Sequence, residues 1–263
     1  MNALWIVYLV GLIIATFQDF KRREIDDWLN LFLFFSGVGF LLLSNSLNFI
    51  LSFSFFVFIM MLVSYLFYYA RIFSGGDSKL LFALSPLLFS VIFNQAIMNL
   101  GIFIFLLFFS GSVYSLFFIL FFILKDFKKL KPVLIKNIKK FKILFLAIVL
   151  LSFFGLLYKD IFYFGIFFIF ILLLYIVSLS LEGVSLTKKV LAKDLAEGDW
   201  IAKKFKFNGK TFDYSWDGLS EKDIKILKNY KKYIEVKDGI PYALSFLIAF
   251  FLFLFKDLIL QFL

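Results

Sequence analysis

The chain has 263 residues, 63% of them hydrophobic, with 43 Phe, a net charge of +10, and neither cysteine nor histidine. A soluble domain is about 45–50% apolar, so this composition excludes one and points to a polytopic membrane protein. The two missing residue types exclude a disulfide framework, a thiol nucleophile, every Ser-His-Asp arrangement and nearly every zinc site.

Apolar runs at 3–17, 28–43, 49–70, 80–93, 96–124, 143–157, 161–181 and 241–262 predict a helical bundle of about six to eight transmembrane helices. Each crossing takes roughly 20 helical residues. The run 96–124 is long for one span and short for two. The first run has no basic residue before it and no small-residue cleavage site, so it reads as a retained span. Patches such as Ser36-Gly37-Val38-Gly39 and Ser110-Gly111-Ser112 read as helix-packing faces.

Charge sets the expected orientation. With the N-terminus outside, loops 18–27, 71–79, 125–142 and 182–240 share one face and carry 3, 2, 8 and 13 Lys or Arg, 26 of the 28 in the chain. By the positive-inside rule that face is cytoplasmic, and Lys159 and Lys256 lie elsewhere. The expected division is a membrane domain over 1–124, a basic loop with further spans over 125–181, a soluble domain over 182–240 and a last helix over 241–263.

Loop 125–142, KDFKKLKPVLIKNIKKFK, interleaves eight lysines with apolar residues, which suits a surface on anionic headgroups; it reads most simply as a topology determinant rather than a nucleic-acid site. Segment 182–240 predicts a small cytoplasmic α+β domain. Strands are expected at about 199–207 and 210–214 around an Asn208-Gly209 turn. A helix starts at Ser220 with Asp223 three residues on, and another strand covers 233–237.

No acid lies in the middle of a span. The acids that matter lie at two cytoplasmic borders: Asp19, Glu24, Asp26 and Asp27 after the first span, and Asp77 before the fourth. Two spans separate the borders, so Asp19 and Asp77 lie on one face at similar depth. They converge if the first and fourth spans pack together. Taken singly, Asp77 reads as a helix N-cap and Asp19 as one acid of a charged loop. Gly75 and Gly76 favour a functional reading, because a plain cap needs neither, whereas a second chain approaching Asp77 does.

At these residues the sequence resembles the type IV prepilin peptidases, GxGD-type aspartyl proteases of the membrane. The likeness rests on Asp19 followed by Arg22, Arg23, Glu24, Ile25 and Trp28-Leu29-Asn30, with Gly76-Asp77-Ser78-Lys79-Leu80 downstream. It is closest to the archaeal preflagellin (prearchaellin) branch, which the stretch 194–200, Gly218-Leu219-Ser220 and Gly239-Ile240-Pro241 also resemble. Two departures stand out: Ser74 replaces the first glycine of GxGD, and Ile25-Asp26-Asp27 replaces the bacterial Ile-Pro-Asn.

The resemblance implies an aspartic endopeptidase with Asp19 and Asp77 as its catalytic pair, Gly75 and Gly76 for substrate approach, and no metal or other cofactor. It implies archaellin or pilin-like precursors as partners, cleaved at the cytoplasmic membrane border. No N-methylating activity is implied. Glu24, Asp26 and Asp27 either attract the basic leader of such a precursor or only balance Lys21, Arg22 and Arg23. A transporter and a non-enzymatic scaffold are the alternatives. A transporter predicts ionisable or broken-helix positions at the bilayer midplane, which the sequence does not offer.

Overall fold

Long runs of Leu, Ile and Phe without a breaker fold as helices. The computed structural model describes residues 3–44, 49–154, 159–195, 198–215, 218–230, 232–237 and 239–256. Ala196 and Glu197 of the 194–200 stretch, and the end of the expected last span, lie outside them. Among the described residues, four helical segments are long and apolar enough to cross a membrane: Ala3–Arg22, Phe49–Tyr69, the 48-residue Phe93–Lys140, and Tyr163–Glu182. Asp27–Leu43 and Ala243–Leu254 are shorter apolar helices. The chain divides into two compact units, Met1–Ser115 with Ile240–Leu263, and Leu116–Gly239.

The first unit holds α1 (Ala3–Arg22), α2 (Asp27–Ser44), α3 (Phe49–Tyr69), α4 (Gly75–Ala83), α5 (Ser85–Leu88), the start of α6 (Phe93–Lys140) and α10 (Ala243–Leu254). α1 packs on α10 and α2, and α4 packs on α2 and α3. Tyr8, Leu12, Leu33, Met60, Leu81 and Phe246 are among its fully buried side chains. The Tyr8 hydroxyl lies 3.1 Å from the Leu33 carbonyl and 3.2 Å from that of Ala83, which ties α1 to α2 and α4. Gly37 makes the close approach possible, since a Cβ there would overlap that hydroxyl and Pro86. Gly39 of the same patch faces open space.

The expected span over 80–93 is instead two short helices, α4 of nine residues and α5 of four. Pro86, in the first turn of α5, has no N–H to continue the ladder. At about 1.5 Å per residue neither piece alone crosses hydrocarbon.

In the second unit the lysine-rich stretch, expected as a loop, is helical to Lys140 within α6, with a break at Asp126 (φ −111°, ψ 20°). Lysine is a good helix former, and Leu130 is buried. α7 (Lys142–Phe154) and α8 (Lys159–Glu182) pack together. Beyond them β1 (Thr187–Leu191), β5 (Tyr233–Lys237) and β2 (Trp200–Ile201) form an antiparallel sheet of order β1-β5-β2.

β3 (Phe205–Phe207) and β4 (Lys210–Phe212) form the expected hairpin, Phe207 opposite Lys210. Asn208 (φ 48°) and Gly209 (φ 74°) turn it, the positive-φ pair such a turn requires. α9 (Glu221–Leu227) starts at the Ser220–Asp223 capping box. It ends at Leu227, and beyond it Tyr230 stacks on Phe205. β1 was not expected; its Thr-Lys-Lys-Val-Leu carries no turn signal and pairs only with residues about 46 positions on.

Candidate active site

The buried face of α1 is Tyr8, Gly11, Leu12, Ala15, Gln18 and Asp19, a stripe at three- and four-residue spacing. Asp19 therefore stands on the packed side of its helix and is only 7% exposed. Its Oδ2 accepts a hydrogen bond of 2.8 Å from the backbone N–H of Ala243, the first residue of α10. A helix N-terminus presents free N–H groups and partial positive charge, so it suits a carboxylate. α1 ends as Arg23 turns to φ 60° and gives its N–H to the Asp19 carbonyl at 2.9 Å. The Arg23 guanidinium acts on Asp19 electrostatically, and the charge of Asp19 reaches the Tyr114 hydroxyl.

Asp77 is the third residue of α4 and equally buried. The N-cap is Ser74, not Asp77. Asp77 closes a capping box, its Oδ2 accepting from Ser74 Oγ at 2.7 Å and from Ser74 N–H at 3.2 Å, while Ser74 Oγ accepts from Asp77 N–H at 3.3 Å. The serine that departs from the glycine pattern thus holds the carboxylate. Burial pushes the Asp77 carboxyl up to about 6; the hydrogen bonds from Ser74 oppose that shift, and the charge of Asp19 adds to it. The two acids of separate borders are thus brought into electrostatic contact. The route differs from direct packing of the first and fourth spans, because α1 lies chiefly on α2 and α10.

Gly75 and Gly76 are not demanded by packing. A Cβ on Gly75 would meet Tyr68 at 3.8 Å, and one on Gly76 would meet Ile25 at 3.5 Å, both ordinary contacts. Of the acidic loop, Asp26 accepts from Arg22 at 2.8 Å, Gln18 at 2.9 Å and Trp28 at 3.0 Å; Arg22 and Trp28 hold its carboxyl below the usual range. Asp27 pairs with Lys79 at 2.6 Å, and Glu24 is exposed. Asp26 and Asp27 are thus already balanced by cations, one of them outside the loop.

Sequence reading placed the last helix over 241–263 but did not connect its start with the two acids. Tyr242, its N-cap, feels the Asp77 charge, and a Cβ on Gly111 would overlap the Tyr242 hydroxyl. Ser110 Oγ donates to the Ser245 carbonyl at 2.9 Å, so the Ser110-Gly111 patch seats α10 against α6.

The model of the type IV leader peptidase family matches residues 6–120, a stretch that includes both aspartates. No curated protein and no solved structure matches the chain.

Proposed function

We infer that this chain is a membrane aspartic endopeptidase of the type IV leader peptidase kind, removing the short basic leader of archaellin or pilin-like precursors at the cytoplasmic membrane border. The observation that carries the reading is the pair of buried, electrostatically coupled carboxylates, Asp19 and Asp77, inside the region similar to that family. Ile25-Asp26-Asp27 in place of Ile-Pro-Asn favours the prearchaellin-processing branch.

Like charges held close cannot both ionise cheaply, so such a pair shares one proton. Burial disfavours charge on both carboxyls, and the α10 N–H offsets it at Asp19 as the Ser74 hydrogen bonds do at Asp77. Asp19 takes a proton from water as the oxygen bonds to the scissile carbonyl carbon, and Asp77 gives its proton to the carbonyl oxygen. The gem-diol then collapses. The C–N bond breaks as Asp19 passes its proton to the leaving amine, and a diol hydroxyl returns one to Asp77. The pair titrates as a unit.

Gly75 and Gly76 leave bare backbone beside Asp77 for the substrate. Glu24 attracts the basic leader, an effect on encounter that salt screens, while Asp26 and Asp27 chiefly balance Arg22 and Lys79. The test is incubation of the protein in vesicles with precursors bearing a basic leader before an apolar segment. A shortened product cut at that junction supports the reading, and an uncut precursor across the plausible substrates sinks it.

A further inference from the structure

A groove of about 560 Å³ runs between α2, α3 and α4 in the first unit. Its walls are apolar, with Leu31, Phe34, Met61 and Phe82 among them, yet two polar groups are sunk into it. The Asn30 side chain is 6% exposed, and neither its Oδ1 nor its Nδ2 hydrogen-bonds to any described residue. The Ser64 hydroxyl, also 6% exposed, is equally without a partner among the described residues. Buried polar groups in folded chains are nearly always paired, and leaving both atoms of an amide unmet is costly. Both groups therefore point to a ligand.

We propose that this groove receives a short extended segment of the precursor and clamps one of its backbone amides through Asn30, with Ser64 as a second partner. The proposal rests on the leader-peptidase reading above and assigns that activity a substrate subsite. Asn30 offers a donor and an acceptor side by side, the complement of a peptide unit. A phospholipid ester offers only acceptors and leaves Oδ1 unmet.

The volume suits a few residues of chain; a whole helix, about 10–12 Å across, is too wide. The groove also reaches the turn that carries the acid. Gly75 and Ser78 line it on either side of Asp77, and Gly75 contributes no side chain. The exposed Asp27–Lys79 pair stands at its edge.

The test has two arms. In the first, a photoreactive residue replaces Leu31 in the Asp77→Asn chain, in phosphatidylglycerol vesicles with a synthetic peptide of basic leader and apolar segment. A peptide adduct that unlabelled peptide competes away is expected. The same label at Leu43, an exposed position elsewhere on α2, gives none. A lipid adduct alone, or no adduct at saturating peptide, overturns the proposal.

In the second arm, Asn30→Leu in the active chain raises KM about tenfold, the effect of roughly one uncharged hydrogen bond. It leaves kcat within threefold and the melting temperature no lower, because it removes two unmet buried atoms. Unchanged KM, or a lower melting temperature with lost kcat, overturns the clamp while leaving the peptidase standing. Competed peptide adducts in a chain that cleaves no precursor sink the peptidase and leave the groove.

Discussion

Asp77 shows how a residue can hold a local structure and still be suited to chemistry. Its carboxylate completes the cap of α4, so replacing it by Asn keeps an acceptor for Ser74. Asp19→Asn and Asp77→Asn should each abolish cleavage while the protein inserts and accumulates; near-normal turnover by either removes the pair. Asp77→Asn should also be more stable than the parent at neutral pH. A carboxyl raised from about 3.8 to about 6 by folding costs stability that appears as pH climbs through that window and is absent below it. The gain should be about 3 kcal/mol at pH 7.5 and largely vanish near pH 4, read as melting temperature against pH.

On the mechanism proposed above, the same carboxyl would set the descending limb of kcat/KM, because the shared proton is lost as pH rises through its upper titration. Ser74→Ala removes a donor to the charged form, so the limb should move to higher pH with the maximum retained. A limb that moves down or stays put means Asp77 is not the group titrating there. Ser74→Gly should behave alike.

Among the elements, those with local rules were legible in the sequence. The Asn208-Gly209 hairpin, the Ser220 cap and the strand at 233–237 all follow from turn, cap and alternation signals, and all are present. The break after α4 was signalled by Pro86 but masked by the apolar run around it. The contact of α10 with Asp19 joins residues 224 positions apart, and no local pattern reports such a pairing. It is also the contact most open to test. Gly111→Ala places a methyl group on the Tyr242 hydroxyl, which should displace the first turn of α10 from Asp19 without touching an acid. A shift of about 1 Å is enough to lower kcat roughly a hundredfold. Tyr242→Phe in the same chain removes the nearest atom but keeps the ring carbons at 2.7 and 2.9 Å, so it should restore only part of the loss. Gly39→Ala, which meets nothing within 4 Å, should be silent. Failure of the rescue, with Gly111→Ala inactive, would place the damage elsewhere in the helix packing.

For the whole molecule, the broken segment α4–α5 decides on which side of the membrane α6 begins. The charge tally puts the lysines of 125–142 in the cytoplasm only if the chain crosses between α3 and α6. Neither α4 nor α5 is long enough alone, but the stretch 75–92 taken together has about the length that hydrocarbon requires. If it dips in and returns instead, α6 starts on the cytoplasmic side and eight lysines end outside. The chain has no cysteine, so single cysteines can be labelled without background. Gln95→Cys, exposed near the start of α6, should react with an impermeant maleimide from the outside, in right-side-out vesicles. Lys136→Cys and Lys206→Cys should react from the cytoplasmic side, in inverted vesicles. The reverse pattern at 95 and 136 would show that α4–α5 does not cross. The border carrying Asp77 would then still face the cytoplasm with Asp19, but the lysine stretch would no longer define that face.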